Sequence, residues 1–139
     1  MAAEPRGRFG IATALVALLL LSACAATPKR PAPLTTRPAP KIGVTATGTA
    51  SWYGPGFHGK RTACGEPFDQ DALTAAHGSW PCGTKVRVTL LSTGKSVVVV
   101  INDLFPNHKR RLIDVSRGAA RAIGLIGPGT GKVRVQVVS

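Results

Sequence analysis

From about residue 44 onward, the chain consists of short runs of β-forming residues separated by glycine-containing turns. Thr45 to Tyr53 alternates small and larger residues, which predicts a first strand. Lys85 to Leu91 and Lys95 to Ile101 flank a short turn with glycine at its end, which predicts a β-hairpin. The second arm is apolar without interruption from Val97, so we expect it to be buried on both faces.

The C-terminal third predicts two further strands around one helix. Arg111 to Val115 and Lys132 to Val138 have the composition of strands. Ser116 fits the N-cap of a helix from Arg117 to Ile123, and Gly124 fits its end. About six short strands and one or two short helices in roughly 95 residues predict an all-β fold, a small closed β-barrel.

The first 23 residues have the features of an export signal. Arg6 and Arg8 precede an apolar stretch from Ile11 to Leu21, too short to span a bilayer comfortably but suited to a signal-peptide core. Leu21-Ser22-Ala23-Cys24 resembles a bacterial lipoprotein box, in which Cys24 receives the lipid and becomes the mature N-terminus. An ordinary signal peptide, cleaved near Ala25-Ala26, is the alternative.

These features divide the chain into three parts. They are a lipoprotein signal peptide at residues 1–23, the lipidated Cys24 with a Pro-rich tether at residues 24–43, and a barrel domain at residues 44–139. Five prolines among small and basic residues make the tether unable to bury a core. By resemblance to lipoproteins of Gram-negative bacteria, Ala25 after Cys24 favours the periplasmic face of the outer membrane.

Export would place the cysteines in an oxidising compartment. With Cys24 acylated, Cys64 and Cys82 remain as an even pair, which favours a disulfide between them. Two reduced core thiols or metal ligation are the alternatives. Because no Cys or His pair has zinc-ligand spacing, we do not predict a metal site. We expect no other cofactor.

The formal net charge of +12 constrains the partners of the chain. In a cytoplasmic protein this charge would suggest nucleic acid. An exported bacterial chain instead meets the stem-peptide carboxylates of peptidoglycan and the phosphates of lipids. We therefore do not expect a nucleic-acid partner. A solvated basic surface explains most of these charges equally well.

Asp103 stands just beyond the apolar run that ends at Ile101. A carboxylate carried to the end of a buried strand loses water, which disfavours its charged form and lets it donate a proton at neutral pH. Such a donor suits the cleavage of a sugar–oxygen bond. The alternative is a structural carboxylate that accepts backbone N–H bonds from the following loop.

Six sequence blocks of the predicted barrel occur in a recognisable order. The blocks are Gly48-Thr49-Ala50-Ser51-Trp52-Tyr53-Gly54, Thr62-Ala63-Cys64-Gly65-Glu66, Leu73-Thr74-Ala75-Ala76-His77, Pro81-Cys82-Gly83-Thr84, Val100-Ile101-Asn102-Asp103 and Ile113-Asp114-Val115-Ser116. Together they closely resemble the rare lipoprotein A family, septal-ring lytic transglycosylases with a double-psi β-barrel related to barwin and expansin domains. The resemblance therefore implies a six-stranded double-psi β-barrel.

The resemblance also implies an activity and its residues, Glu66, His77 and Asp103. The implied reaction cleaves the β-1,4 bond between N-acetylmuramic acid and N-acetylglucosamine in peptide-free glycan strands and leaves 1,6-anhydromuramic ends. One carboxyl can serve twice, because it first protonates the leaving oxygen and then accepts the proton of the C6 hydroxyl. The expected partners are peptidoglycan glycan strands and, through Cys24, the lipid bilayer; proteins of the division machinery are further candidates.

Each polar residue near the proposed acid has two interpretations. Glu66 could hold substrate or affect Asp103 through like-charge coupling, or it could be a surface turn carboxylate. His77 could hydrogen-bond Asp103 or the sugar, or it could be a satisfied core histidine. Asn102 is either a substrate-binding partner beside the acid or a residue of the turn after the strand.

The aromatic residues also allow two roles. Trp52, Tyr53 and Phe57 could present a stacking face for sugar rings, although aromatics near a barrel strand are more often part of the core. Trp80 would either extend the groove that holds the sugar rings or fill a gap in the packing. We expect Asp114 to cap an element or to pair with a nearby basic residue.

The chain departs from the family pattern directly after Asp103. The family usually continues Arg-Gly-Pro-Phe, whereas this chain has Leu104-Phe105-Pro106-Asn107. The missing arginine would orient or electrostatically bias the acid, and its replacement makes the site more apolar. A second hypothesis is therefore an expansin-like module that binds glycan strands without cleaving them, and a third is a purely structural lipoprotein.

Overall fold

The structure, a computed structural model, describes residues 38–105 and 110–139. The predicted signal peptide, the lipidation site at Cys24 and residues 25–37 of the predicted tether lie outside the described residues, as do Pro106 and Asn107. Within the two described ranges, no helix is both long enough and apolar enough to cross a membrane.

Six strands and one α-helix form the described part of the chain. Their bounds are β1 Thr45–Tyr53, β2 Thr74–His77, β3 Lys85–Leu90, β4 Ser96–Asp103, β5 Ile113–Ser116, α1 Arg117–Ile123 and β6 Thr130–Val137, with a short 3-10 turn at Pro55–Phe57. The strands close into a barrel in the order β1-β5-β2-β4-β3-β6. β1–β5 and β2–β4 pair in parallel and the other pairs are antiparallel. This mixed barrel confirms the predicted fold class and is consistent with a double-psi β-barrel.

Local sequence signals predicted most of these elements. The first strand, the β3–β4 hairpin and the helix are confirmed, as is the cap, because the Ser116 hydroxyl accepts a hydrogen bond from the Ala119 N–H at 3.2 Å. Gly124 ends the helix with a φ of +80°, a left-handed conformation that favours glycine. β2 was not predicted as a strand, because four residues with two central alanines give little β signal.

The prediction that β4 is buried on both faces is wrong for its first half. Val99 and Ile101 are fully buried, whereas Val98 is 41% exposed. Side chains of a barrel strand alternate between the interior and the outside, so only every second residue of β4 enters the core.

The core fills the barrel and extends under α1. Every strand contributes small or branched apolar side chains to it, among them Ala50, Ala75, Val86, Val88, Val99, Ile101, Ile113, Val115, Val133 and Val135, with Ala119, Ala120 and Ile123 from α1. Burial of one face of each strand fixes the strand register, because a shift by one residue would turn the apolar side chains outward. The register in turn determines which polar residues lie side by side.

Candidate active site

Three neighbouring strands place one carboxylate on each side of an alanine. Ala76 of β2 lies opposite Asp103 of β4 in the parallel pairing and opposite Asp114 of β5 in the antiparallel pairing. Neighbouring strands are about 4.8 Å apart, so the two aspartate Cα atoms are separated by roughly 10 Å. Residues that pair directly across strands project to the same face, and the small side chain of Ala76 leaves room between the two carboxylates.

An irregularity in β2 determines which residue of β4 takes part in this row. Ala75 lies opposite Ile101, but the register shifts between Ala75 and Ala76, so that Ala76 lies opposite Asp103 and not Asn102. β-Bulges of this kind commonly change the direction of a side chain next to a functional site. The shift aligns Asp103, rather than its neighbour, with Asp114.

Both carboxylates line a cavity of about 330 Å³. Its lining residues are Tyr53, Phe57, Ala76, Asp103, Leu104, Phe105, Arg111 and Asp114. Asp103 is half-buried, so it neither faces bulk solvent nor lies sealed beneath the phenyl ring of Phe105. A saccharide could therefore reach the carboxyl group of Asp103.

The two oxygens of Asp103 have different surroundings. Oδ1 accepts hydrogen bonds from the backbone N–H groups of Ala63, at 2.8 Å, and Leu104, at 2.9 Å. Within residues 38–105 and 110–139, Oδ2 accepts no hydrogen bond. The backbone contacts expected of a structural carboxylate are thus present, but they engage one oxygen and leave the other for chemistry in the cavity.

The predicted disulfide is present and supports this arrangement. Cys64 and Cys82 are bonded, with their Cα atoms 5.9 Å apart. Cys64 follows Ala63, the hydrogen-bond donor to Asp103, and Cys82 precedes Gly83, whose N–H donates to the carbonyl of Ile101 in β4 at 2.7 Å. The bridge therefore joins the loop that contacts Asp103 to a segment fixed on the strand that carries it.

Asp114 forms a buried polar cluster at the other side of the cavity. Its Oδ2 lies 3.2 Å from Arg111 Nη1, so the predicted pairing with a basic residue is present. The Ser51 hydroxyl donates to Asp114 Oδ1 and accepts a hydrogen bond from Arg111 Nη1 at 2.7 Å. The Arg111 guanidinium also lies 5.9 Å from the ring centroid of Phe105. The sequence alone did not identify Asp114 and Arg111 as cavity residues. The available signal was the single carboxylate of Asp114 inside the short buried strand β5.

Tyr53 lines the cavity with a ring that is already packed against other aromatic rings. Its ring stacks on Phe68, with centroids 4.4 Å apart, and meets Phe57 edge-on at 5.8 Å. The hydroxyl is buried and has no hydrogen-bond partner within the described part of the chain. Burial, and then the charges of Asp103 and Asp114, raise the pKa of Tyr53 well above its usual value of 10, so the hydroxyl stays protonated as a donor.

The other two predicted stacking residues lie in different places. Phe57 lines the cavity and is 53% exposed, with Lys60 Nζ 5.3 Å from its ring centroid. Trp52 packs against the hydrophobic core and is not among the cavity residues. Of the proposed aromatic face, Phe57 alone combines exposure with a position in the cavity.

Glu66 and Asn102 contact each other beside the cavity. Asn102 is buried, and its Nδ2 donates to Glu66 Oε1 at 2.7 Å, while Glu66 itself is exposed. Neither residue lines the cavity. Glu66 is therefore linked to the neighbourhood of Asp103 through Asn102, which precedes Asp103 in the chain. The roles proposed for Glu66 and Asn102 stay predictions.

His77 organises the turn that follows β2. It is buried, its Nδ1 accepts the backbone N–H groups of Ser79 and Trp80 at 3.1 and 3.0 Å, and its ring stacks on Trp80 with centroids 3.8 Å apart. His77 does not line the cavity. These contacts fit the interpretation of a satisfied core histidine, and its catalytic role stays a prediction.

Burial of His77 predicts a pH-dependent contribution to stability. Burial lowers the pKa of His77 from 6.5 to about 4. Between these values the unfolded chain binds a proton that the folded chain does not, so the contribution is complete above about pH 6.5 and is lost as the pH falls towards 4. We expect His77→Asn, which keeps an acceptor but cannot titrate, to weaken the loss of stability on acidification. Urea unfolding at pH 7 and pH 4.5 measures this; equal pH dependence in both proteins would contradict it.

Comparison with known protein families identifies the family of the barrel. A family model described as lytic transglycolase matches residues 45–137, which include every strand of the barrel. The chain belongs to the lytic transglycolase family. The match includes the described cavity residues of this family member and both of its disulfide cysteines.

Curated relatives of this lytic transglycolase family member are much longer proteins. The probable endolytic peptidoglycan transglycosylase RlpA of Synechocystis sp. is 60% identical over 91 residues, which cover 66% of this chain and 28% of the relative. The endolytic peptidoglycan transglycosylase RlpA of Campylobacter jejuni is 50% identical over 97 residues, which cover 70% of this chain and 35% of the relative. The chain thus spans about a third of the length of these relatives.

A solved structure shares the architecture of this lytic transglycolase family member. The Clavibacter michiganensis expansin in its apo form matches with a TM-score of 0.56 and 28% identity, over 69% of this chain and 51% of the expansin chain. The barrel of the described residues therefore resembles an expansin as well as the domain named in the family model.

Proposed function

We propose that this protein is a lipid-anchored endolytic peptidoglycan lytic transglycosylase. It would cleave the MurNAc-β-1,4-GlcNAc bond of peptide-free glycan strands and leave 1,6-anhydro-MurNAc ends. The observation that carries the proposal is the carboxyl group of Asp103, which lines an open cavity with one oxygen anchored and the other without a hydrogen bond from the described residues. The names of the relatives support the substrate class.

Asp103 suffices for both proton transfers of this reaction. We assign the transferred proton to Oδ2, because the two backbone N–H groups engage Oδ1. Oδ2 protonates the glycosidic oxygen as the bond from C1 to that oxygen breaks, the C6 hydroxyl oxygen bonds to C1, and the hydroxyl proton returns to Oδ2. The reaction consumes no water, unlike ordinary glycoside hydrolysis with its pair of carboxylates.

Asp114 and Arg111 supply fixed charges in the same cavity. Positive charge develops on the sugar ring as the bond breaks, and a carboxylate held by Arg111 and Ser51 is oriented in advance to stabilise that charge. Arg111 also lines the cavity beside Leu104 and Phe105. The cavity therefore contains a guanidinium although the residue after Asp103 is not arginine.

The distinguishing product is an anhydromuramic end. The purified protein is incubated with peptide-free glycan strands in H₂¹⁸O, and the products are analysed by mass spectrometry. We expect 1,6-anhydromuramic ends without ¹⁸O, because the C6 hydroxyl closes onto C1. Reducing muramic ends that carry ¹⁸O would indicate a hydrolase and would contradict the proposal.

The second candidate is a module that binds glycan strands without cleaving them. Two observations favour it: the similarity to an expansin, and Leu104-Phe105 in place of the usual Arg-Gly. Sedimentation of the protein with peptide-free glycan strands, in parallel with the product assay, separates the candidates. Binding without any product would support the binding module.

We propose that acylated Cys24 anchors the protein to the outer membrane, facing the periplasm. The lipoprotein box before Cys24 supports this proposal. We expect Cys24→Ser to move the protein from the membrane fraction to the soluble fraction of the cell envelope. A variant that stays with the outer membrane would contradict the anchor.

Tyr53→Phe tests whether the buried hydroxyl of Tyr53 meets the substrate. The hydroxyl has no protein partner among the described residues, so its removal should not lower the free energy of unfolding. Loss of one hydrogen bond to the sugar should reduce turnover by about tenfold. Urea unfolding and the rate of anhydromuramic product measure the two effects, and unchanged turnover would exclude a substrate contact.

A further inference from the structure

A second depression, of about 260 Å³, adjoins the cavity of Asp103. Its lining residues are Gly48, Thr49, Arg110, Arg111, Leu112 and Lys132, and we call it the basic pocket. Arg111 lines both the basic pocket and the cavity. The two depressions therefore meet at Arg111.

Backbone pairing between strands fixes the positions of the residues that line the basic pocket. Lys132 of β6 lies opposite Thr49 of β1, and the N–H of Leu112 donates to the carbonyl of Thr49 at 2.7 Å. The next residues along each strand, Ala50 and Val133, are buried in the core, so Lys132 and Thr49 project outward. Leu112 packs against the hydrophobic core. The basic pocket thus lies on the outside of the barrel, on fixed backbone.

Position 48, which lines the basic pocket, requires a glycine. A Cβ atom at Gly48 would lie 2.7 Å from Cβ of Leu112, closer than side chains pack. Leu112 therefore packs directly against Gly48 on the core-facing side of β1. The polarity of the basic pocket comes from the cations at its edge and from Thr49.

The charge of the basic pocket is one-sided. Three of its six lining residues are cationic and none is acidic. The carboxylate of Asp114 pairs with Arg111, whereas Arg110 and Lys132 form no ion pair with any residue that the structure describes. Two cations beside the proposed reaction site therefore lack a carboxylate partner.

We propose that the basic pocket binds the lactyl carboxylate of muramic acid, an inference that rests on the proposed transglycosylase function. The two sugars of the glycan strand differ by the lactyl ether of muramic acid, whose carboxylate is free only where no stem peptide is attached. Lysine and arginine bind such a group through charge-assisted hydrogen bonds. A stem peptide converts the carboxylate to a neutral amide and adds bulk, so the same contact discriminates against peptide-bearing strands.

Equilibrium binding tests the basic pocket without turnover. The full chain carries Asp103→Asn, and its affinity is measured for peptide-free muramyl oligosaccharides, for chitooligosaccharides of equal length, and for peptide-bearing muramyl oligosaccharides. Chitooligosaccharides lack the lactyl group, so they report contacts with the sugar rings alone. We expect the peptide-free muramyl ligand to bind about tenfold more tightly than the chitooligosaccharide, the order of effect that two exposed charge pairs supply.

Matched charge removals locate the effect. Arg110→Gln with Lys132→Gln should abolish the preference for the muramyl ligand and leave chitooligosaccharide affinity unchanged. Lys95→Gln with Arg134→Gln removes the same charges at exposed residues outside the basic pocket, and should keep the preference. Added salt should weaken the muramyl complex more than the chitooligosaccharide complex.

Two outcomes would overturn the inference. One is a preference that survives in Arg110→Gln/Lys132→Gln. The other outcome is that the peptide-bearing ligand binds as tightly as the peptide-free ligand and loses as much affinity in that variant. This outcome would assign the basic pocket to a stem-peptide carboxylate. The product assay on the protein with Asp103 intact separately decides the proposed function: anhydromuramic product without a muramyl preference overturns the basic pocket alone, and a muramyl preference without product overturns the transglycosylase alone.

Discussion

Asp103→Asn is expected to abolish the formation of anhydromuramic ends, with a loss of at least about 10²- to 10⁴-fold in turnover. Asparagine has nearly the shape of aspartate, and its Oδ1 can still accept the N–H groups of Ala63 and Leu104. Its amide nitrogen cannot deliver a proton to a glycosidic oxygen and recover it from a C6 hydroxyl. The loss therefore falls on proton transfer and not on the loop.

A control separates this loss from a general effect of charge. Asp69 is exposed, and its Oδ1 accepts the N–H of Asp71 at 2.9 Å, a contact that asparagine can also make. Asp69→Asn should retain turnover, and both variants should keep the thermal midpoint of unfolding. Product from Asp103→Asn at an unchanged rate would show that another group transfers the proton.

Cys64→Ser with Cys82→Ser is expected to lower the free energy of unfolding by about 3 kcal/mol, because the unfolded chain regains the freedom that the bridge removes. Turnover should fall as well. The bridge holds Ala63, whose N–H anchors Oδ1 of Asp103, against a segment bonded to β4. A freer loop would present the acid in more than one orientation.

The chain offers a matched control for the disulfide. Cys24→Ser removes a cysteine outside this bridge and should leave the unfolding free energy of the barrel unchanged. Urea unfolding gives the stability, and hydrogen exchange at the Ala63 amide reports the loop contact. If the double variant kept both the unfolding free energy and the protection of Ala63, the bridge would have no supporting role.

Local sequence signals were sufficient where a residue's neighbours in the chain decide its conformation. The alternation of Thr45 to Tyr53, the β3–β4 hairpin and the Ser116 cap were predicted because strands, tight turns and helix ends depend on a few consecutive residues. Burial along β4 was less predictable. An apolar run does not show which of its residues face the interior of a closed barrel, and Val98 faces outward.

The site was predictable only in part for the same reason. Asp103 could be singled out because it lies two residues after Ile101, the last apolar residue of β4. Asp114 and Arg111 could not be placed beside it, because the two aspartates are 11 positions apart in the chain and the barrel brings them together across β2. β2 itself has little local signal, although it forms the centre of the cavity.

The sequence by itself determined the class of the fold, the cysteine pair and an acid at the end of β4, because each depends on composition, short-range order or simple counting. Only the tertiary structure decided that Asp103, Ala76 and Asp114 form one row, that Tyr53 lines the same cavity, and that Arg111 lines both this cavity and the basic pocket. The physical reason is that pairing between strands distant in the chain is selected by burial of the whole core, which no short segment encodes.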